Sequence, residues 1–232
     1  MVQAKEFFGK DRVTLYHGSP NVVKQPVYGA GNPNNDYGLA FYTTELEELA
    51  LEWACPRAGD GWANEYVLKT QRLSVLDLNS GEFSVLNWLA VLLEHRKVSM
   101  GIGIAQEAHD FITAEYAVDV SGADIVYGYR ADDSYFSMAR RFLNNGIPVQ
   151  VLEQALFLGG LGYQVALMSE RAFKQLEWVG ARPASGAVWN PRRIKRDAQA
   201  RATAAQLERQ AVASRSGTYI VDLMRGEGAW QK

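Results

Sequence analysis

Three short segments of this 232-residue chain carry polar and aromatic side chains that could do chemistry: Tyr16-His17-Gly18-Ser19, Asp36-Tyr37-Gly38-Leu39-Ala40-Phe41-Tyr42-Thr43-Thr44 and Tyr163-Gln164-Val165-Ala166-Leu167-Met168. Each puts a polar or aromatic group on a strand edge. His17 can donate to or accept from a hydroxyl, and Gly18, free of a Cβ, lets its backbone approach a ligand amide. Tyr42 offers a flat face for stacking, with Tyr37 and Phe41 as neighbouring alternatives. Ser19, Thr43 and Thr44 are lesser polar contacts. Gln164 is a neutral amide: it can position a hydroxyl, but it supplies neither a full negative charge nor a base. Asp132 and Asp133 are adjacent carboxylates at a strand end, where one can project outward as a negative charge while the other caps the next helix. Glu170, in a helix first turn, is the weaker source. Each group also has a structural reading: His17 as a satisfied strand-end histidine, Tyr42 as core, the two aspartates as caps, Gln164 as a surface-facing strand position.

The elements that must position these groups follow from periodicity and punctuation. Val13 to Gly18 reads as a strand, and the Pro-, Gly- and Asn-rich stretch to Asn35 as a long loop. Thr44 and Glu47 have the spacing of a capping box, starting a helix with Leu46, Leu49, Ala50, Trp53 and Ala54 on one face. Strands are predicted over residues 64–69 and 74–78, and helices over 83–96 and 104–116. Residues 124–129 form a buried strand, followed by a helix ending near Gly146 and a short helical piece over 149–157. Residues 163–168 form a strand, with Ser169 capping the following helix. The Ala- and Arg-rich stretch 191–214 is helical by propensity, and residues 219–224 are an apolar segment that docks. The order is mixed α+β, read as one domain over 1–185 with a helical extension over 186–232 docking on it.

Composition narrows the classes. At 47% hydrophobic and 22% charged residues the chain is ordinary globular material. Residues 191–215 hold seven Arg or Lys against Asp197 and Glu208, so the net charge of −2 joins an acidic body to a basic tail. Such a body argues against broad affinity for nucleic acid, although the tail can touch phosphate or an acidic partner. The one cysteine, Cys55, reads as an inert small hydrophobe and closes no intrachain disulfide. The longest apolar run, Trp88 to Leu93, is far short of the ~20 residues that span a bilayer, and the N-terminus is charged where a signal peptide is apolar. A cytoplasmic location, no membrane and no metal are therefore expected. The glycine clusters at 101–103 and 159–162 lack the spacing and context of a dinucleotide fingerprint.

Taken together, the three segments resemble the ADP-ribosyltransferase superfamily, in its diphtheria-toxin and poly(ADP-ribose)-polymerase branch. There a histidine, a tyrosine and usually a glutamate lie on three strands lining a NAD cleft. The closer likeness is to a bacterial domain-of-unknown-function family of that superfamily, with its Y-H-G-S start, D-[FY]-G-x-[GA]-F-Y-x-T block and G-x-x-A-D-D segment. These match Tyr16 to Ser19, Asp36 to Thr44 and Gly128-Tyr-Arg-Ala131-Asp132-Asp133, over about residues 15–176. The resemblance implies a split mixed or antiparallel sheet with surrounding helices, NAD as substrate, and transfer of ADP-ribose to a protein or nucleic acid acceptor. His17 and Gly18, with Ser19 and Thr43, would anchor NAD. Tyr42 would stack on nicotinamide, and Gln164 with Asp132 or Asp133 would stabilise the ribosyl cation. It also implies an intracellular toxin of a toxin–antitoxin or phage-defence locus, with a small antitoxin as partner. Two rivals stand beside it: a NAD glycohydrolase, and a non-catalytic NAD- or nucleotide-binding module, favoured by glutamine at the glutamate position.

Overall fold

The computed structural model describes residues 4–56, 59–96, 103–131, 133–160, 162–214 and 216–227. The chain runs α1 (Ala4–Phe8), β1 (Arg12–Ser19), β2 (Phe41–Thr44), α2 (Glu47–Ala54), β3 (Gly61–Lys69), β4 (Val75–Asp77), α3 (Val85–His95), α4 (Ile104–Glu115) and β5 (Ile125–Tyr129). It continues through α5 (Asp133–Leu143), α6 (Val149–Ala155), β6 (Tyr163–Leu167), α7 (Glu170–Lys174), β7 (Leu176–Ala184), α8 (Gly186–Ser214) and α9 (Ile220–Met224).

The strands form one mixed sheet in the order β4-β5-β6-β2-β1-β3-β7, with β4 and β5 parallel and every other pair antiparallel, so the fold is α+β. Period-two alternation sorts side chains between its faces. Val126 and Ala166 face a helical layer containing Leu86, Leu89, Ile112, Phe142 and Leu152. Tyr127, Val165 and Leu167 face the opposite way, with Val13, Leu15 and Leu68, under α1 and α7. Helix α3 is apolar nearly all round because it is buried nearly all round; Ser84 caps it, and the Asn87 side chain accepts from the Ser84 N–H at 2.9 Å.

The seam between β1 and β2 is the feature that matters for the site. Among the described residues their register consists of one pair, Tyr16↔Thr44, whereas β1 and β3 pair along eight residues. Beyond Tyr16 the two strands part, and α2 packs beside the gap. Gly18 is needed for that packing, since a Cβ there would sit 2.0 Å from the Ala50 carbonyl oxygen.

Several elements differ from the sequence expectation. The Thr44/Glu47 capping box does not form: Thr44 ends β2, its Oγ1 accepts from the Leu46 N–H at 3.2 Å, and α2 starts at Glu47 with no side-chain cap. Strand β7 was not among the expected elements; it carries Gly180 and Pro183, which a sheet edge tolerates. Helix α8 begins five residues before Pro191, which sits in its second turn. Ser169 does cap α7, accepting from the Ala172 N–H at 3.1 Å.

Helix α8 lies against α2, α5 and α6. Ala200 and Ala204 are buried, Arg196 pairs with Glu52 at 2.8 Å, and Arg141 pairs with Glu208. Ile220 and Leu223 of α9 join the helical core. Among the described residues no helix is long and apolar enough to cross a membrane.

Candidate functional site

Where β1 and β2 part, a pocket of about 550 Å³ opens, within the usual ~300–1,000 Å³ of small-molecule sites. His17, Phe41, Tyr42 and Gln164 all line it. By strand alternation His17 and Phe41 belong to one face of the sheet, Tyr42 and Gln164 to the other. They meet because the sheet is open between them.

His17 spans the gap. Its Nδ1 lies 2.7 Å from the Tyr42 carbonyl oxygen, and its ring packs on Phe41 at 4.5 Å. A carbonyl only accepts, so Nδ1 carries the proton, and the neutral ring keeps the Nε2 lone pair for a donor. Burial holds the imidazolium below its ordinary 6.5, against the opposing pull of the Tyr42 carbonyl. Tyr42 is held through its hydroxyl, which donates to the Gly38 carbonyl at 2.7 Å and accepts from the Tyr37 N–H at 3.0 Å. Its ring is therefore fixed rather than free to swing. Tyr37, the expected alternative, is core: its hydroxyl bonds the Tyr129 carbonyl and accepts from Trp88 Nε1 at 2.8 Å. That hydroxyl fills the space a Cβ on Gly128 would need, which joins the Asp36 block to the Gly128 block.

Gln164 is buried rather than surface-facing. Its Nε2 donates to Asp36 Oδ2 at 2.8 Å, and the same oxygen accepts from the Ala131 N–H at 3.1 Å. Arg96 Nε stands 3.1 Å from Asp36 Oδ1. Burial raises the Asp36 carboxyl above its ordinary value, while Arg96, Gln164 and Ala131 pull it down. Arg130 also lines the pocket, its guanidinium 3.8 Å above the Trp53 ring.

Loop 20–35 covers the pocket and is pinned from beneath. The fully buried Asn64 accepts from the Val23 N–H at 2.8 Å and donates to the His17 and Asn21 carbonyls, and the Tyr66 hydroxyl donates to the Val23 carbonyl. Tyr28 leans edge-on against Phe173.

Of the residues expected at the site, the pocket thus brings together His17, Tyr42 and Gln164. Others stand elsewhere. Gly18 faces α2; Ser19 is half-buried, its Oγ accepting from the Asn21 N–H; Thr43 is buried with its hydroxyl on the Val165 carbonyl. Glu170 is exposed and pairs with Lys174. Asp132 lies outside the described residues, and of Asp133 only its place at the start of α5 is described. Asp36 and Arg96 are the polar groups that sequence reasoning passed over. Asp36 lies in the segment that also holds Tyr42, but no role was assigned to it, and none was assigned to Arg96.

The chemistry available is specific. Nε2 of His17 and Oε1 of Gln164 can accept from ligand hydroxyls, aromatic faces can take a flat ring, and the Arg130 guanidinium favours an anion, Arg96 being paired with Asp36. Among the described residues no three His, Cys, Asp or Glu side chains gather as a metal site would.

A family model, described as a protein of unknown function, DUF3990, matches residues 13–178. The chain belongs to the DUF3990 family. The match takes in all the residues of the pocket and both strands of the open seam, and ends within β7, ahead of α8. Searches of the curated proteins and of the solved structures found no match for this DUF3990 chain.

Proposed function

We propose that this protein is an ADP-ribosyltransferase that binds NAD in the pocket between β1 and β2 and transfers ADP-ribose to a macromolecule. The observation that carries the proposal is the convergence of His17, Tyr42 and Gln164, from three distant segments, on one pocket at the open seam of the sheet. By the resemblance of the three sequence segments, they correspond to the histidine, tyrosine and glutamate of the ADP-ribosyltransferase superfamily. In the reaction the nicotinamide–ribose C–N bond breaks and its electron pair leaves with nicotinamide. A nucleophile of the acceptor then bonds the anomeric carbon and gives up its proton to solvent.

The pocket's groups have distinct parts in this. His17 Nε2 accepts from a ribose hydroxyl, and Tyr42 stacks on the nicotinamide ring. Gln164 accepts from a hydroxyl of the reacting ribose, fixing the sugar as positive charge builds on it. Arg130, which also lines the pocket, favours the diphosphate, while Arg96 is paired with Asp36. A cytoplasmic toxin controlled by a small antitoxin is the biological setting that the same resemblance suggests.

One observation favours a second reading, a non-catalytic NAD-binding module: Gln164 is neutral, and the charge of its partner Asp36 is compensated by Arg96 at 3.1 Å. Purified protein, NAD labelled on the adenylate, and lysate distinguish the readings. Label on a macromolecule supports transfer, nicotinamide release without label means a glycohydrolase, and binding with neither means the module.

A further inference from the structure

We propose that Asp36 is a positioning residue that fixes the Gln164 amide so that its oxygen, rather than its nitrogen, is presented to the ligand. The proposal rests on the NAD-site reading and says how a neutral amide can serve at the position where a glutamate would stand.

An amide offers two donors on nitrogen and an acceptor on oxygen, and in an open cleft nothing prevents it from turning over. At Gln164 something does. Asp36 Oδ2 lies 2.8 Å from Nε2, and an ionised carboxylate has no proton to give to Oε1, so only the orientation with nitrogen toward Asp36 makes a hydrogen bond. Asp36 is held in turn by the Ala131 N–H on the same oxygen and by Arg96 on the other, and both Asp36 and Gln164 are 5% exposed. The chain is built for this contact across its length: Asp36 comes from the block before β2, Gln164 from β6, Ala131 from the end of β5, and Arg96 from the end of α3.

The same geometry accounts for glutamine in place of glutamate. A carboxylate at 164 would face that of Asp36 at about the same separation in a poorly hydrated site, so one of the two would have to take up a proton. Because Arg96 already compensates Asp36, the pair delivers orientation to the cleft more than charge.

A double-mutant cycle with nicotinamide release from NAD as readout tests the proposal. Gln164→Ala and Asp36→Ala should each lower kcat/KM by about tenfold or more, and the double variant should fall no more than about threefold below the weaker single, since Asp36 acts through Gln164. Asp36→Asn can keep an oxygen for both Ala131 N–H and Gln164 Nε2 but turns an N–H toward Arg96, so it should fall between wild type and Asp36→Ala. Losses that multiply in the double variant, or wild-type turnover in Asp36→Ala beside an impaired Gln164→Ala, would overturn it.

If the unmodified protein neither binds nor turns over NAD, the functional reading fails, and the orientation is then decided by NMR of the Gln164 side-chain amide, assigned by its loss in Gln164→Ala. A hydrogen-bonded amide signal kept in Asp36→Asn and moved to the free-amide position in Asp36→Ala supports Asp36 as the positioning residue. An amide signal unchanged in Asp36→Ala contradicts it.

Discussion

The pocket works through a few side chains whose freedom has been removed. The Tyr42 ring is tied by its hydroxyl to Gly38 and Tyr37, so ring and hydroxyl have separable roles. Tyr42→Phe should keep NAD turnover within about threefold of wild type and cost about 1–2 kcal/mol of stability, whereas Tyr42→Ala should abolish turnover. Steady-state kinetics beside urea unfolding separates the two effects. His17 makes a pH prediction. Nε2 accepts only while the ring is neutral, and the folded ring takes its second proton below 6.5. Nicotinamide release should therefore fall along an acid limb whose midpoint lies below 6.5. An acid limb with its midpoint above 6.5 would contradict the acceptor role. The linkage has the same sign: below 6.5 the unfolded chain takes up the proton first, so stability falls as pH drops toward the folded pKa.

At the scale of elements, β1 must meet α2 on one side and part from β2 on the other. Gly18→Ala puts a methyl 2.0 Å from the Ala50 carbonyl oxygen and should cost about 2–3 kcal/mol or prevent folding, measured by urea denaturation. A stable variant that had lost only NAD binding would instead mean that Gly18 serves the ligand directly. Asp124 clasps three elements. Against the cost of burial, hydrogen bonds from Arg171, Ser169 and Ser74 hold its carboxyl well below the ordinary 3.8. Its contribution is fully present above pH 3.8 and is lost as pH falls through the folded value. Asp124→Ala should lose about 2–4 kcal/mol at pH 7 by urea unfolding, and a smaller difference from wild type should remain near pH 2.

How much of this was legible in the sequence depends on range. Ser169 as a cap, the buried strand at 125–129 and the apolar α3 were readable because their causes lie within a few residues. Strand β7 was not, because an edge position excuses a glycine and a proline that would disqualify a central strand. The Thr44/Glu47 spacing misled, because pairing with β6 holds Thr44 in a strand, Thr44 opposite Gln164. His17, Tyr42 and Gln164 were singled out through the resemblance of their segments to a known superfamily, but Asp36 and Arg96 acquire meaning only once residues 60 apart touch. No local pattern marks such a pair.

For the molecule as a whole, the basic C-terminal stretch is part of the packing. Ala200, Ala204, Ile220 and Leu223 are buried against the body, and Arg196 is paired with Glu52 of α2, the helix that packs beside the seam. A chain ending at residue 185 should therefore lose cooperative urea unfolding or most of its stability, because it exposes the apolar surface those residues cover. Unchanged unfolding of the shortened chain would show that α8 and α9 only rest on the surface.

The central claim, that the open seam between β1 and β2 is a NAD site used for transfer, is tested most directly with the purified full chain, adenylate-labelled NAD and bacterial lysate, with His17→Ala in parallel. Transfer predicts label on a macromolecule with equimolar nicotinamide release, both absent in His17→Ala, and nuclease or protease treatment then tells which kind of acceptor carries the label. Neither label nor nicotinamide release from the wild-type chain, or equal signals from wild type and His17→Ala, would contradict it.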